Sequence, residues 1–138
     1  MKRLEVSCTE RKEKIKITFE SGITVTCEIR FDENPKTAEA LMKALPFEAR
    51  AEFWGKENYF EAPFKVSLEK AKEIVDYGDV AYWPEGSALC LFFGPTLSSP
   101  SLDVIKPYSP VNAIGKVLED PKILEKVEEG EKLRVEKA

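Results

Sequence analysis

The chain has 138 residues, the length of one ordinary domain, and we treat residues 1–138 as a single domain. Its 21 Lys and Arg residues are interleaved with 25 Asp and Glu residues, so the net charge of -4 leaves no basic face for nucleic acid or for an anionic membrane surface. The absence of histidine excludes a Ser-His-Asp triad, a Cys-His pair and a histidine-ligated metal.

The cysteines and the N-terminus indicate the compartment. Cys8, Cys27 and Cys90 show no Cys-x-x-Cys spacing, so we expect free buried thiols, no metal and no cofactor. Residues 1–5 lack the apolar core of a signal peptide, and no apolar run approaches the roughly 20 residues that cross a bilayer. We therefore expect a cytoplasmic protein with no membrane partner. The lack of glutamine and the many Lys and Glu residues resemble the composition of thermophilic proteins.

The first predicted elements form a β-hairpin. Apolar and polar residues alternate strictly on both sides of the turn Glu20-Ser21-Gly22, which is the pattern of two half-buried strands. A short stretch near the N-terminus predicts one further strand. These predicted strands lie at residues 4–6, 14–19 and 23–29.

A helix is predicted after the hairpin. Asn34 is a favourable N-cap, Pro35 suits the first helical position, and Pro46 ends the helix. Between them, the apolar residues of 37–45 follow the i, i+3, i+4, i+7 spacing of one buried helical face.

The rest of the chain predicts short strands, a long loop and further helical turns. Residues 88–93 are almost wholly apolar, as in a strand buried on both faces, and Gly115 indicates a close approach of two backbones. Residues 96–110 are rich in Ser and Pro and predict a long surface loop, a type of segment that often covers a binding site. The predicted strands lie at 48–54, 59–64, 79–83, 88–93, 111–118 and 132–135, and the predicted helical turns at 68–73 and 121–127.

These elements together predict a mainly β fold. About eight short strands, joined mostly as hairpins, occur with two or three short helices, and no strand-helix-strand alternation of a parallel sheet is present. A closed antiparallel β-barrel hides the edges of that many strands.

Several segments resemble cyclophilins. Residues 35–39, Pro-Lys-Thr-Ala-Glu, resemble the start of the first cyclophilin helix, and the strand that ends in Phe92-Phe93 resembles the strand with the cyclophilin Phe-Phe pair. A closer resemblance is to a small prokaryotic group of cyclophilin-like proteins of largely unassigned function. The segments that resemble its signature are residues 78–96 and 110–115, and the whole resemblance spans about residues 13–138.

The resemblance implies a closed antiparallel cyclophilin-like barrel of about eight strands, capped by two short helices. In cyclophilins, a groove on the outer face of the barrel binds an extended X-Pro segment and accelerates cis/trans isomerisation, whose barrier is about 18–20 kcal/mol. The catalytic arginine of cyclophilins has no counterpart beside Phe53, and no glutamine precedes Phe92. The implied groove therefore lacks a complete catalytic set, and whether the chain is an enzyme stays open.

The candidate ligand-binding residues are mostly aromatic, because aromatic side chains suit prolyl rings, other apolar rings and extended peptides. Arg50 is included because positions 50, 52 and 54 of a strand share one face, and its guanidinium would polarise a carbonyl or bind a carboxylate. The competing interpretation places the aromatic rings in the core and Arg50 in a surface ion pair. The predicted groove is lined by Arg50, Trp54, Tyr82, Trp83 and Phe92.

Three functions follow from this interpretation. The leading one is a binding module that takes a small molecule or short peptide in an external aromatic groove. The first alternative is a peptidyl-prolyl cis-trans isomerase that works by apolar binding and desolvation, with Arg50 as a displaced donor. The second alternative is a structural or interaction protein, with homo-oligomers formed through an edge strand.

Overall fold

The computed structural model describes residues 11–138, and within them it contains nine strands and two short helices. The predicted strand at residues 4–6 and the residue Cys8 lie outside this range. Helix α1 spans Pro35–Ala44, and a 3₁₀ helix spans Pro121–Lys126. The strands are β1 Lys12–Phe19, β2 Thr24–Arg30, β3 Phe47–Arg50, β4 Glu52–Phe53, β5 Glu57–Glu61, β6 Asp79–Trp83, β7 Ala88–Phe92, β8 Asn112–Val117 and β9 Lys132–Lys137.

The strands form one antiparallel sheet that curls into a nearly closed barrel, as predicted. Its order is β3-β9-β1-β2-β8-β6-β7-β5-β4, so the two terminal strands are consecutive pieces of the chain. The strand predicted at residues 48–54 is divided at Ala51, because its first half pairs with β9 and its second half with β5. The chain thereby closes the barrel by changing partners at one residue, and nine strands replace the expected eight.

The alternation of apolar residues in β1 and β2 places one face of each strand inside the barrel. Ile15, Ile17 and Phe19 of β1 are buried, and so are Val25 and Ile29 of β2. The predicted close approach at Gly115 is confirmed, since a Cβ atom there would lie 2.0 Å from the carbonyl oxygen of Glu28 on the neighbouring strand. Any side chain at this position would therefore force β2 and β8 apart.

The helix α1 covers one end of the barrel with the predicted buried face, which includes Ala38 and Leu41. Asn34 is the N-cap residue, as predicted, but its side chain forms no capping hydrogen bond. Its amide donates to the carbonyl of Ala113 (2.8 Å) and its side-chain oxygen accepts from the Lys70 N–H (2.7 Å), so it ties the helix entrance to other segments. The first-turn N–H of Thr37 is instead bound by the Glu69 carboxylate at 2.9 Å.

The helical turns predicted at residues 68–73 are absent, because side chains from other elements occupy the backbone groups that a helix would use. The Asn112 side chain accepts from the Glu69 N–H (2.9 Å) and donates to the Ser67 carbonyl (3.0 Å). Farther along, Lys72 forms an isolated β-bridge with Val111. Buried side-chain hydrogen bonds have thus overridden a weak local helix preference.

Two separate hydrophobic clusters lie on the two faces of the curled sheet. The larger cluster fills the barrel interior and the space under α1, and it includes Phe60, Tyr82 and Leu91. The smaller cluster lies on the outer face of β5, β6, β7 and β8. Its buried members are Val75, Ala81, Cys90, Phe92, Ile105, Val111 and Ala113.

Among residues 11–138, no helix is long and apolar enough to cross a membrane. The two cysteines of this part of the chain, Cys27 and Cys90, are free and buried, as predicted.

A candidate ligand pocket on the outer face of the barrel

Strand alternation decides which aromatic residues of β6 reach the outer face. Trp83 points outward, where its half-buried ring packs against the outer cluster. Its neighbour Tyr82 points inward and is fully buried. The Tyr82 hydroxyl donates to the carbonyl of Phe64 (2.7 Å), and the two rings stack with centroids 4.8 Å apart. Tyr82 therefore belongs to the interior, because adjacent residues of a strand face opposite sides.

Four aromatic rings from separate parts of the chain converge on the outer face. Trp54 follows β4, Tyr59 lies on β5, Trp83 ends β6, and Tyr108 belongs to the covering loop, by which we mean residues 96–110. The Tyr108 centroid lies 5.8 Å from that of Trp54 and 5.9 Å from that of Trp83, while Tyr59 and Trp83 are 6.2 Å apart. All three ring pairs have the edge-to-face geometry that aromatic groups prefer.

These rings enclose a cavity of about 150 Å³, which we call the aromatic pocket. Four larger surface grooves, of about 220 to 680 Å³, are lined mainly by charged and polar residues. The aromatic pocket is smaller but has the apolar lining and few polar groups that are typical of ligand sites. Its lining residues are Trp54, Glu57, Tyr59, Trp83, Pro107 and Tyr108.

The covering loop fixes the orientation of both indoles. The Trp54 Nε1–H donates to the Ser98 hydroxyl (3.0 Å), and the Trp83 Nε1–H donates to the Ser109 hydroxyl (2.5 Å). Ser109 in turn donates to the Glu85 carboxylate at 3.0 Å. Because both indole N–H groups are already satisfied by the protein, the tryptophans offer a ligand their ring surfaces.

The loop itself is held by internal hydrogen bonds. The Ser99 hydroxyl accepts from the backbone N–H groups of Thr96 (2.9 Å) and Lys106 (3.1 Å), and the Thr96 hydroxyl donates to the carbonyl of Lys106. An N–H from Val75 to the carbonyl of Ile105 (3.0 Å) fastens the loop to the preceding segment. The loop is therefore a defined wall of the pocket, with Pro107 and Tyr108 at its inner edge.

A buried carboxylic acid lies in the wall of the aromatic pocket. Glu57, the first residue of β5, is 5% exposed, and its Oε1 atom has no hydrogen-bond partner among residues 11–138. Burial raises the pKa of Glu57 to about 7, and the adjacent Cys90 thiol offsets this only in part. Burial also raises the pKa of Cys90 well above its ordinary value, so this thiol is not a nucleophile at neutral pH.

The structure brings together only part of the predicted groove. Trp54 and Trp83 line the pocket, whereas Phe92 is fully buried in the outer cluster beneath it. Arg50 lies elsewhere and donates to the carbonyl of Gly130 (2.9 Å). Its placement from strand parity fails because the chain changes sheet partners at Ala51, between Arg50 and Trp54.

Glu57, Pro107 and Tyr108 line the aromatic pocket, but sequence reasoning did not assign them to it. Glu57 lies between the strands predicted at 48–54 and 59–64, although it precedes Tyr59 by two residues and so shares its face because β5 begins at Glu57. Pro107 and Tyr108 belong to the predicted loop, where no periodic pattern indicates which residues face a pocket. Among residues 11–138, no group of three or more acidic, Cys or His side chains is arranged to hold a metal ion.

Fold and site together define a small antiparallel barrel protein with an aromatic pocket on its outer face. A sequence model described as Cyclophilin-like matches residues 13–136, and the chain belongs to this family. The solution structure of the hypothetical protein AF2241 from Archaeoglobus fulgidus is similar, with 40% sequence identity and a TM-score of 0.79 over 92% of this chain and 95% of that one. No curated protein matches the sequence.

Proposed function

We propose that this protein is a binding module whose recognition site is the aromatic pocket. The observation that carries the proposal is the convergence of Trp54, Tyr59, Trp83 and Tyr108 from four separate segments around one cavity. The two tryptophan rings are only partly buried, yet their indole N–H groups are held in place by serines of the covering loop. Such preorganised rings favour binding, because their side chains lose little conformational entropy when a ligand is bound.

The size of the pocket limits what enters it. A cavity of about 150 Å³ takes one ring or one side-chain-sized group. A second groove, of about 510 Å³, begins on the other side of the hydrogen bonds that link Trp83, Ser109 and Glu85. We propose that the pocket holds the anchoring group of a small molecule or short peptide, and that the rest of a larger ligand lies in this groove.

Tryptophan fluorescence provides a direct test. The chain has two tryptophans, both in the pocket wall, so any occupant perturbs the whole indole signal. We expect saturable changes on titration with at least one of three probes: acetyl-Ala-Pro-Phe-amide, phenol or choline. Tyr108→Ala should weaken that binding about tenfold, the equivalent of about 1.4 kcal/mol, since it removes one wall.

The control variant is Arg50→Ala, because Arg50 lies outside the pocket and its loss should leave the affinity unchanged. Trp54→Phe and Trp83→Phe each leave one reporter and show whether both indoles respond. Titrations in which none of the three probes binds would contradict the proposal. If Arg50→Ala weakened binding and Tyr108→Ala left it unchanged, the binding site would lie in another groove.

Peptidyl-prolyl isomerisation is the second candidate, because the pocket lies on the outer barrel face where the resemblance to cyclophilins implies a groove. However, no arginine lines the pocket among residues 11–138, so the donor that would polarise the prolyl amide is missing. We expect no acceleration of exchange when the same prolyl peptide is followed by NMR. Acceleration that is lost in Trp83→Phe but kept in Arg50→Ala would instead assign the enzyme activity to this pocket.

A further inference from the structure

We propose that the aromatic pocket selects a small organic cation, an alkylammonium or quaternary ammonium group, with Glu57 as its counter-charge. This inference rests on the proposed function and specifies the chemical class of the ligand. Its starting point is the shape of the pocket. The interplanar angle is 87° between Tyr108 and Trp54, 75° between Tyr108 and Trp83, and 86° between Tyr59 and Trp83. Neighbouring rings are therefore nearly perpendicular and bound the cavity on several sides.

A cavity bounded on several sides by aromatic rings is suited to a positive charge. The face of each ring carries partial negative charge, and a cation within about 6 Å of the ring centroids is attracted to several faces at once. Tryptophan binds cations best among the aromatic residues, and both tryptophans of the chain are in this wall.

Glu57 distinguishes a cation from a neutral ring. One of its carboxylate oxygens is buried without a hydrogen-bond partner among the described residues. A neutral apolar ligand would leave that oxygen unsatisfied and would offer no charge to balance the ionised carboxyl, which is unfavourable. A positively charged group balances the carboxylate electrostatically and favours the ionised form of the carboxyl, whether or not it carries an N–H donor.

The surroundings exclude the opposite charge. Among the described residues, no lysine or arginine lines the pocket, and the indole N–H donors that would otherwise bind an anion are used by Ser98 and Ser109. Nearby acidic groups add to the negative field, since Glu52 lies beside the Tyr59 hydroxyl (3.5 Å) and Glu85 beside Ser109. An anionic ligand would therefore meet repulsion and find no cationic side chain among the described residues of the pocket wall.

The test compares a cation with its neutral isostere. Choline and 3,3-dimethylbutan-1-ol have the same shape but differ by one positive charge, and each is titrated into the full chain at constant ionic strength while tryptophan emission is followed. We expect choline to bind at least about tenfold more tightly. Glu57→Gln should weaken choline binding about tenfold and leave the isostere unaffected.

Glu61→Gln is the matched control. Glu61 lies on the same strand and the same face as Glu57, but it is exposed and does not line the pocket, so its loss should change neither affinity. Circular dichroism checks that each variant is folded.

The other outcomes separate the two proposals. Equal affinities for choline and the isostere, or binding of phenol and the prolyl peptide but not of choline, would overturn the cation inference and leave the proposed binding function standing. An unchanged choline affinity in Glu57→Gln would also overturn it. No binding of any of the four probes would overturn both.

Discussion

The two faces of the curled sheet differ in kind. The interior cluster is apolar, and the Tyr82 hydroxyl within it is satisfied by the carbonyl of Phe64. The buried oxygen without a partner on this side of β5, Asn58 Oδ1, belongs to a neutral amide. The outer cluster begins equally apolar with Cys90 and Phe92, but it ends in half-exposed rings and an unpartnered Glu57 carboxylate. Burial accounts for nearly all of the first face, whereas the second retains an ionisable carboxyl, Glu57, whose burial does not improve stability.

We interpret this difference as one between a face that stabilises the fold and a face that we propose to bind a ligand. The interior of a protein is packed closely because every void and every unsatisfied group reduces stability. A surface that keeps such groups in a fixed arrangement is the usual site of binding, since the cost is recovered when a ligand arrives. Three tests, ordered from the largest expected effect to the smallest, examine whether the two faces differ as described.

The largest effect is expected from a matched pair of phenylalanines. Phe60 in the interior and Phe92 on the outer face are both 0% exposed. Phe60→Ala should lower the free energy of unfolding by about 4 kcal/mol, because the closed barrel cannot collapse around the cavity. Phe92→Ala should cost about 1 kcal/mol less, since the covering loop can settle into the space.

Urea unfolding of both variants measures this comparison. Equal losses, or a larger loss in Phe92→Ala, would show that the outer cluster is packed as rigidly as the interior. The distinction between the two faces would then fail.

The second effect depends on pH. The Glu57 pKa is about 7 in the folded protein against an ordinary value of 4.5, so the folded state holds the proton more tightly than the unfolded state. The Glu57 contribution to stability is therefore most favourable below pH 4.5 and falls as pH rises to about 7, by about 3 kcal/mol in all. Glu57→Gln removes this dependence, so its advantage over the wild type should grow with pH.

The measurement is the unfolding free energy of both proteins from pH 4 to pH 8, with Glu61→Gln as the exposed control. The titratable groups that face Glu57 are the Cys90 thiol and the Tyr59 phenol, and the pKa of each is raised, above an ordinary 9.0 and 10.0 respectively. Neither group titrates in this range. A difference between wild type and Glu57→Gln that stays constant with pH would contradict the assignment.

The sequence predicts the interior better than the pocket, for a physical reason. Apolar alternation encodes which face of a strand is buried, so β2, β6 and β7 are found at or within one residue of their predicted bounds, and β1 within two. The same rule shows that Tyr82 and Trp83 cannot both line one groove. Alternation alone does not specify closure of the barrel. The number of strands favours closure, because a barrel leaves no exposed edges, and the family resemblance implies the same architecture.

The pocket depends on contacts that no local pattern encodes. Tyr108 reaches the indoles because Thr96, Ser99 and Lys106 hold the covering loop in one conformation. Arg50 lies outside the pocket because the chain changes its sheet partner at Ala51. No glycine or proline at this position indicates the change in the sequence. Trp54 and Trp83 could be predicted because large aromatic residues at strand ends are good candidates for a pocket wall.

The smallest effect on stability is expected at the site itself. Tyr108 is 61% exposed, and its ring contacts the indoles of Trp54 and Trp83 without entering either cluster. Tyr108→Ala should change the unfolding free energy by less than about 1 kcal/mol, as for other surface substitutions. The same variant should shift the tryptophan emission in the absence of any ligand, since an edge-to-face partner of both indoles is lost. A stability loss of about 3 kcal/mol would place Tyr108 in the core and show that these rings serve packing, whereas a small loss with altered emission is the behaviour of a preformed binding wall.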